Sequence, residues 1–161
     1  MISQSRPITR FEKLTEAYAQ LGSEFRDIGN AKLVELVDTW EKSLSQMHSM
    51  LIKNKPLVKR SAFVAGLEQG LREIPSLLSE LPEVERRLAL KTLSRVMESM
   101  VPGFFEKNRE TLDKIVARGK IKNKDEWYLI RHHVDEIEGD SSQLLQLAEL
   151  YKLIDNYENI A

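Results

Sequence analysis

The sequence predicts an all-α fold, a helical bundle of six or seven helices that ends in a C-terminal helical hairpin. Apolar residues recur at intervals of three and four along almost the whole chain, which is the period of an amphipathic helix. The strict alternation that is typical of a β-strand is nearly absent. A chain of 161 residues can bury a sizeable core, so we expect a single helical domain over residues 1–161.

The first helix has clear signals at both ends. Thr9 and Glu12 have the spacing of a capping box, in which a hydroxyl and a carboxylate satisfy the amides at a helix N-terminus. The apolar repeat continues to about Ile28, where Gly29 is suited to the left-handed conformation that ends a helix. Asn30 follows as the predicted N-cap of the second helix.

The second helix carries apolar residues at alternating spacings of four and three, which is a heptad seam. The seam consists of Leu33, Val37, Trp40, Leu44, Met47 and Leu51. The third segment, Leu57 to Ile74, is apolar on more than one side and is therefore predicted to be the most buried helix. Pro75 is expected to stop or kink it, and Pro82 suits the first turn of the fourth helix.

The fifth helix is predicted to end at Gly119, and a helical hairpin follows over residues 123–157. Asn123 and Glu126 have the spacing of a second capping box, which predicts the start of the first hairpin helix. The stretch 118–124 is a candidate sub-boundary between a helical bundle at 9–118 and this hairpin. A unit of about 35 residues rarely folds alone, so the hairpin must dock on the preceding helices or on another chain. The predicted buried face of the last helix comprises Leu144, Leu147, Ala148, Tyr151 and Ile154, widened by Leu150 and Leu153.

Composition excludes several classes of protein. The net charge of −1 provides no general attraction to nucleic acid or to an anionic membrane. The absence of cysteine excludes disulfides, thiol catalysis and cysteine-ligated metals. No apolar run approaches the roughly 20 residues that span a bilayer, and the N-terminus lacks the apolar core of a secretory signal. We therefore expect a cytoplasmic protein without membrane contacts.

Three features form a candidate protein interface. The heptad seam is the first, and the small residues Ala62, Gly66 and Gly70, spaced four apart, are the second. Glycine inside a helix costs about 1 kcal/mol relative to alanine, so this stripe favours close approach of another helix, internal or external. The third is an aromatic pair after a Pro–Gly break. The candidate interface residues are Leu33, Val37, Trp40, Leu44, Met47, Ala62, Gly66, Gly70, Phe104 and Phe105.

A basic connector is the candidate nucleic-acid contact. It comprises Arg118, Lys120, Lys122 and Lys124. Nucleic-acid binding needs several phosphate contacts, often with aromatic stacking nearby, and Trp127 and Tyr128 follow this run closely. The alternatives are a solvated loop, or pairing with the acidic C-terminal region, and Trp127 also belongs to an apolar helix stripe.

The pair His132–His133, with nearby carboxylates, is the candidate for metal chemistry. We expect His132 to point away from the apolar stripe, into solvent. His132 and Glu136 are one helical turn apart and could share a metal, but zinc usually takes three or four protein ligands. Nucleotide-binding, P-loop and hydrolase motifs are absent from the sequence. We therefore assign no catalytic residue, metal ligand or cofactor.

The sequence favours a non-catalytic protein–protein interaction or regulatory module, acting on a protein partner or by self-association through a helical face. One alternative is a nucleic-acid-associated protein that uses the connector 118–124. The other is a metal-dependent enzyme whose site is assembled in the bundle from distant residues, because helical bundles do build such sites from facing helices.

Overall fold

The computed structural model describes residues 8–52 and 59–159. The described residues form seven α-helices, one short 3-10 helix and no strand, which confirms the predicted all-α fold. The helices are α1 (Arg10–Ile28), α2 (Ala31–Ile52), α3 (Arg60–Leu78), α4 (Glu83–Met100), α5 (Glu106–Arg118), α6 (Lys124–Ile137) and α7 (Leu144–Asn159). The described chain divides into two compact units, a first of 8–52, 59–73 and 96–102 and a second of 74–95 and 103–159.

The helix ends confirm the predicted capping. The hydroxyl of Thr9 accepts a hydrogen bond from the backbone N–H of Glu12 at 3.2 Å, and Gly29 ends α1 with a φ of 80°. The side-chain oxygen of Asn123 likewise accepts from the N–H of Glu126 at 2.9 Å at the start of α6. These bonds satisfy amides that have no partner inside their own helix, so each cap defines where its helix begins.

Helix α3 buries a single stripe, which differs from the prediction of several buried sides. Pro75 does not stop the helix, which continues as far as Leu78. The stripe consists of Leu67, Leu71, Ile74 and Leu78. Pro75 removes one backbone hydrogen bond, but burial of Ile74 and Leu78 on either side of it stabilises the last turn, since packing outweighs local propensity. The predicted start at Leu57 lies outside the described residues.

In the first unit, α1 packs against α2 through an aromatic cluster and a glycine. The ring of Trp40 lies 5.4 Å from that of Tyr18 and 5.8 Å from that of Phe25, measured between centroids. Gly22 is buried between them, and a Cβ atom there would lie only 3.2 Å from a methyl group of Val37. The close approach of two helices therefore occurs at Gly22, a residue to which the sequence patterns gave no role.

Tyr18 also attaches α3 to α1. Its hydroxyl donates a hydrogen bond of 2.9 Å to the carbonyl oxygen of Leu67, and a Cβ atom at Gly70 would lie 2.4 Å from the same hydroxyl. Burial, and secondarily the charge of Glu73, raises the pKa of Tyr18 to about 12, so the hydroxyl stays protonated as a donor. Arg10 forms an ion pair with Glu68 between the same two helices.

In the second unit, the C-terminal hairpin packs on α5 of its own chain. The shared core consists of Leu112, Ile115, Ile121, Ile130, Val134, Leu147, Leu150, Leu153 and Ile154. Ile121 belongs to the connector, so the stretch 118–124 is anchored inside the second unit. The hairpin therefore has the apolar support that its small size requires.

Helix α7 is rotated relative to its predicted face. The buried residues are Leu147, Leu150, Leu153 and Ile154, whereas Leu144, Ala148 and Tyr151 are exposed. The first turns of α7 are apolar around most of the circumference, so periodicity alone could not identify the side that meets α5 and α6. The rotation leaves an apolar stripe on the outside of the second unit.

We expect Gly70→Ala to destabilise the protein by about 1–3 kcal/mol, because the added methyl group overlaps the Tyr18 hydroxyl. The same change at Gly66, where an added Cβ meets nothing within 4 Å, should be neutral or stabilise the helix by up to about 1 kcal/mol. Urea denaturation followed by circular dichroism measures both. In a Tyr18→Phe background the penalty at Gly70 should disappear, and an unchanged penalty there would contradict the explanation.

Candidate functional site

An open apolar groove of about 550 Å³ lies between α2 and α3 in the first unit. Tyr18 and Trp40 form its floor. From α2 it is lined by Leu36, Leu44, Met47 and Met50, with Thr39, Ser43 and Gln46 as polar neighbours. From α3 it is lined by Ala62, Phe63, Gly66, Leu67, Gly70 and Glu73. An apolar concave surface with a few polar groups is the usual form of a binding site.

The groove has the dimensions of a short helix. Along α3 it extends from Ala62 to Glu73, which is about 16 Å at 1.5 Å per residue. Along α2 it extends from Leu36 to Met50, which is about 21 Å on the same basis. Three turns of an α-helix are about 16 Å long, so a helical segment of three to four turns matches this length.

The wall formed by α3 is bare of side chains at its centre. Gly66 is exposed and an added Cβ atom there would meet nothing within 4 Å, while Ala62, one turn earlier, is also exposed. An incoming backbone can therefore approach α3 more closely here than at a residue with a longer side chain. Glu73 is the one charged residue among the described lining, so the negative charge of the groove lies at that end.

The candidate interface residues fall into separate environments. Leu33 and Val37 are buried in the core. Trp40 and Met47 are also buried, but they line the groove together with the half-buried Leu44. Ala62, Gly66 and Gly70 line the opposite wall of the groove. Phe104 and Phe105 lie in the second unit with their rings 4.9 Å apart, the first buried and the second half-buried.

Sequence reasoning did not find Tyr18, Phe63 or Glu73 as part of this site. Tyr18 lies 52 residues from Gly70 in sequence, and no local pattern connects them. Tyr18 occupies an ordinary core position of the α1 stripe, and only its hydroxyl distinguishes it there. The available signal was a pair of glycines inside α3, which indicated a close approach without identifying what approaches.

The basic connector is partly engaged by its own chain. Arg118 donates to the carbonyl oxygen of Lys120 at 2.8 and 3.0 Å and forms an ion pair with Glu126. The carboxylate of Glu126 also accepts from the backbone N–H of Lys122 at 2.8 Å. Lys120, Lys122 and Lys124 are exposed. The connector therefore presents three lysines to solvent, while its arginine has a structural role.

The aromatic residues after the connector are engaged as well. The indole N–H of Trp127 donates to Glu158 at 3.1 Å, and the guanidinium of Arg131 lies 5.4 Å from the centre of a Trp127 ring. Tyr128 lies 4.9 Å from Trp127 between ring centroids and 5.8 Å from the ammonium of Lys124. These contacts leave less ring surface for stacking on bases than the sequence suggested.

A buried carboxylate organises the second unit. Asp135 is only 3% exposed and accepts two hydrogen bonds from Arg86, at 2.7 and 3.2 Å, and a longer one from Arg87 at 3.4 Å. Arg86 also donates to the carbonyl of Leu81 at 3.3 Å. The paired geometry joins α4 to α6 and compensates for removing the charge from water. In the sequence Asp135 resembles its exposed acidic neighbours, so nothing indicated its burial.

His132 is largely buried, and the prediction that it points into solvent is wrong. Its Nε2 atom is buried and has no hydrogen-bond partner among the described residues. Burial lowers the pKa of His132, with Arg86 and Arg131 acting in the same direction and Asp135 and Glu136 opposing it. The side of α6 opposite its apolar stripe is also covered, which a single-helix projection could not show.

Metal chemistry finds little support in this region. His133 lies near Glu136, with 3.5 Å between Nδ1 and the carboxylate, and near Gln146, with 3.3 Å between the two nitrogens. Within residues 8–52 and 59–159 no group of three or more His, Asp or Glu side chains is placed to hold a metal ion.

None of the helices within residues 8–52 and 59–159 combines the length and the apolar character that a membrane-spanning segment needs.

Comparison with known proteins adds no relative to this picture. No protein-family model matches the chain, and no curated protein or solved structure matches it either. The groove is a concave apolar surface on the part of the chain that the structure describes, and it is the candidate functional site.

We expect Asp135→Ala to destabilise the protein by about 3 kcal/mol, because it leaves the side chain of Arg86, which is only 15% exposed, without its carboxylate partner. Glu83→Ala should change stability by less than about 1 kcal/mol, because Glu83 is exposed and pairs with Arg87 only one turn away. Chemical denaturation of both variants measures the difference. Equal effects of the two substitutions would contradict a structural role for the buried pair.

We also expect His132 to make stability depend on pH. Its folded pKa lies below the unfolded value of about 6.5, so its stabilising contribution is complete above that value and is lost as pH falls. Unfolding free energies measured between pH 7.5 and 5 (roughly the range in which histidine titrates) should fall less steeply for His132→Leu than for the wild type. His48→Leu, on an exposed face of α2, is the matched control. Parallel profiles for the wild type and His132→Leu would contradict this expectation.

Proposed function

We propose that the protein is a non-catalytic interaction module that binds an amphipathic helix of a protein partner in the groove between α2 and α3. The observation that supports this most directly is the bare centre of the α3 wall at Gly66, beside an apolar α2 wall that includes Met47 and Met50. A helix packs well against such a surface, because small residues allow close approach and methionine adapts to the shape of its neighbours.

The dimensions of the groove favour a helical ligand. Recognition of a helix in a groove uses apolar anchors at positions i, i+4 and i+7, which lie on one side of about two turns. The groove is long enough for those anchors and for one further turn. A lysine or arginine at the end of the ligand that faces Glu73 would neutralise the negative charge of that carboxylate, since Glu73 is the charged residue of the described lining.

The nucleic-acid alternative has less support. Arg118 pairs with Glu126, and Trp127 is held by Glu158 and Arg131, so fewer groups are available for phosphates and bases. Its remaining basis is the set of exposed lysines in the connector. An experiment on the groove should therefore include removal of nucleic acid as a control.

We expect Gly66→Glu to abolish partner binding while Ala65→Glu preserves it. Both residues are exposed on the same turn of α3, and each substitution adds one negative charge. Only Gly66 lines the groove, so a difference in binding between the two variants reports on the groove. Affinity capture from native lysate treated with nuclease, read by mass spectrometry, compares the wild type with both variants. The partner recovered by the wild type and by Ala65→Glu should be reduced about tenfold or more with Gly66→Glu.

Two results would contradict the proposal. A partner captured equally by all three proteins would bind elsewhere than in the groove. Recovery of nucleic-acid-binding proteins that is lost on nuclease treatment, and lost again on combined replacement of Lys120, Lys122 and Lys124, would instead support the connector as the functional surface. Circular dichroism of each variant separates loss of binding from loss of fold.

A further inference from the structure

We propose that the helix received by the groove is α7 of a second copy of this chain. This inference rests on the proposed function of the groove as a binding site for an amphipathic helix. The ligand lies on the surface of the protein itself, because α7 carries an exposed apolar stripe of the required pattern.

The outer face of α7 has the spacing of a groove-binding helix. Leu144 is 64% exposed and Tyr151 is 40% exposed, and the small residue Ala148 lies exposed between them. These residues stand at i, i+4 and i+7, which is the anchor pattern of helix-in-groove recognition. Leu145, beside Leu144, is 90% exposed. An exposed apolar group of this kind on a folded surface marks an interaction site.

The stripe and the groove agree in length and in the position of their small residues. From Leu144 to Lys152 the stripe extends about 12 Å, which fits within the roughly 16 Å of the α3 wall. When Ala148 lies opposite Gly66, the two backbones meet where neither has a long side chain. In a parallel arrangement of α7 and α3, Leu144 then lies near the level of Ala62.

Charge selects that parallel arrangement. Lys152 lies one turn after Ala148 and is the only basic residue between positions 135 and 161. In the parallel register it reaches the level of Gly70 and extends toward Glu73, the charged residue of the described groove lining. In the antiparallel register Lys152 would lie near the level of Ala62, where the described lining has no carboxylate. An ion pair of this kind contributes more to fixing the register of the two helices than to the affinity of their contact.

The contact joins two different surfaces, the groove of one copy and α7 of another. Such a contact is heterologous, so it produces either a closed ring of copies or an open chain. An occupied groove cannot receive another helix, so self-association and binding of a foreign partner exclude each other. Self-association would therefore regulate the same site to which the proposed function is assigned.

Sedimentation velocity of the full-length chain over a range of concentrations tests the proposal. The wild type should associate with a Kd below about 100 µM. Gly66→Glu and Ala148→Glu, on opposite sides of the contact, should each weaken association about tenfold or more, while Ala65→Glu should leave it unchanged. Gly66 and Ala148 are both exposed, so these substitutions should retain the fold, which circular dichroism verifies.

Mixing the two variants provides the decisive comparison. The Ala148→Glu protein retains an intact groove and the Gly66→Glu protein retains an intact α7, so a mixture of the two should associate although neither does alone. An equivalent test of charge is Glu73→Lys combined with Lys152→Glu in one chain. The double variant should recover association that each single change weakens.

Three results would overturn the inference: a wild type that stays monomeric at about 100 µM, association that survives Ala148→Glu, or variants that do not complement each other on mixing. The first of these leaves the proposed function intact if a foreign partner still depends on Gly66. The proposed binding of a foreign partner alone would fail if captured partners ignore Gly66→Glu while self-association still depends on Gly66 and Ala148. The two experiments therefore distinguish the two claims.

Discussion

The hydroxyl of Tyr18 donates to the carbonyl oxygen of Leu67, and the arrangement of the first unit follows from that bond. The same ring contacts Trp40 on α2, so one side chain links α1 to both of its neighbours. Because the hydroxyl is buried and its pKa is raised to about 12, the bond does not change with pH over the physiological range. Gly70 leaves the space that the hydroxyl needs. The groove is the volume left above this contact, so the residues that support the fold also form the floor of the site.

The second unit is organised around charge rather than around an aromatic ring. The carboxylate of Asp135 is held by the paired nitrogens of Arg86, and burial of such a pair contributes more to the choice of one arrangement than to net stability. An apolar helix face can slide by a turn against its neighbour with little loss, whereas a two-pronged ion pair is satisfied in only one register. Here the pair specifies the register of α4 against α6, and His132 is enclosed beside it.

The accuracy of the sequence-based predictions depended on how local each feature is. The ends of α1 and α6 were predicted because a cap is formed by residues three apart, such as Thr9 and Glu12. The exposed side of α7 and the burial of His132 depend on neighbours distant in sequence, and those predictions failed. Of the two expectations for Pro75, to stop or to kink α3, the structure excludes the stop. The sequence predicted only part of the groove, since its two walls lie on separate helices and its floor includes Tyr18 of a third helix.

The walls of the groove differ in how easily they can change shape, and this has a consequence for selectivity. Met47 and Met50 on the α2 side have unbranched, flexible side chains that can move aside or fill gaps. Gly66 on the α3 side has no side chain to move, and an added Cβ atom there would meet nothing within 4 Å, so the backbone itself sets how deep a ligand can sit. The groove is thus adjustable in width and constant in depth. It should tolerate ligands whose anchors differ in size, provided that one small residue faces α3, and discriminate sharply against those that place a branched or aromatic residue there.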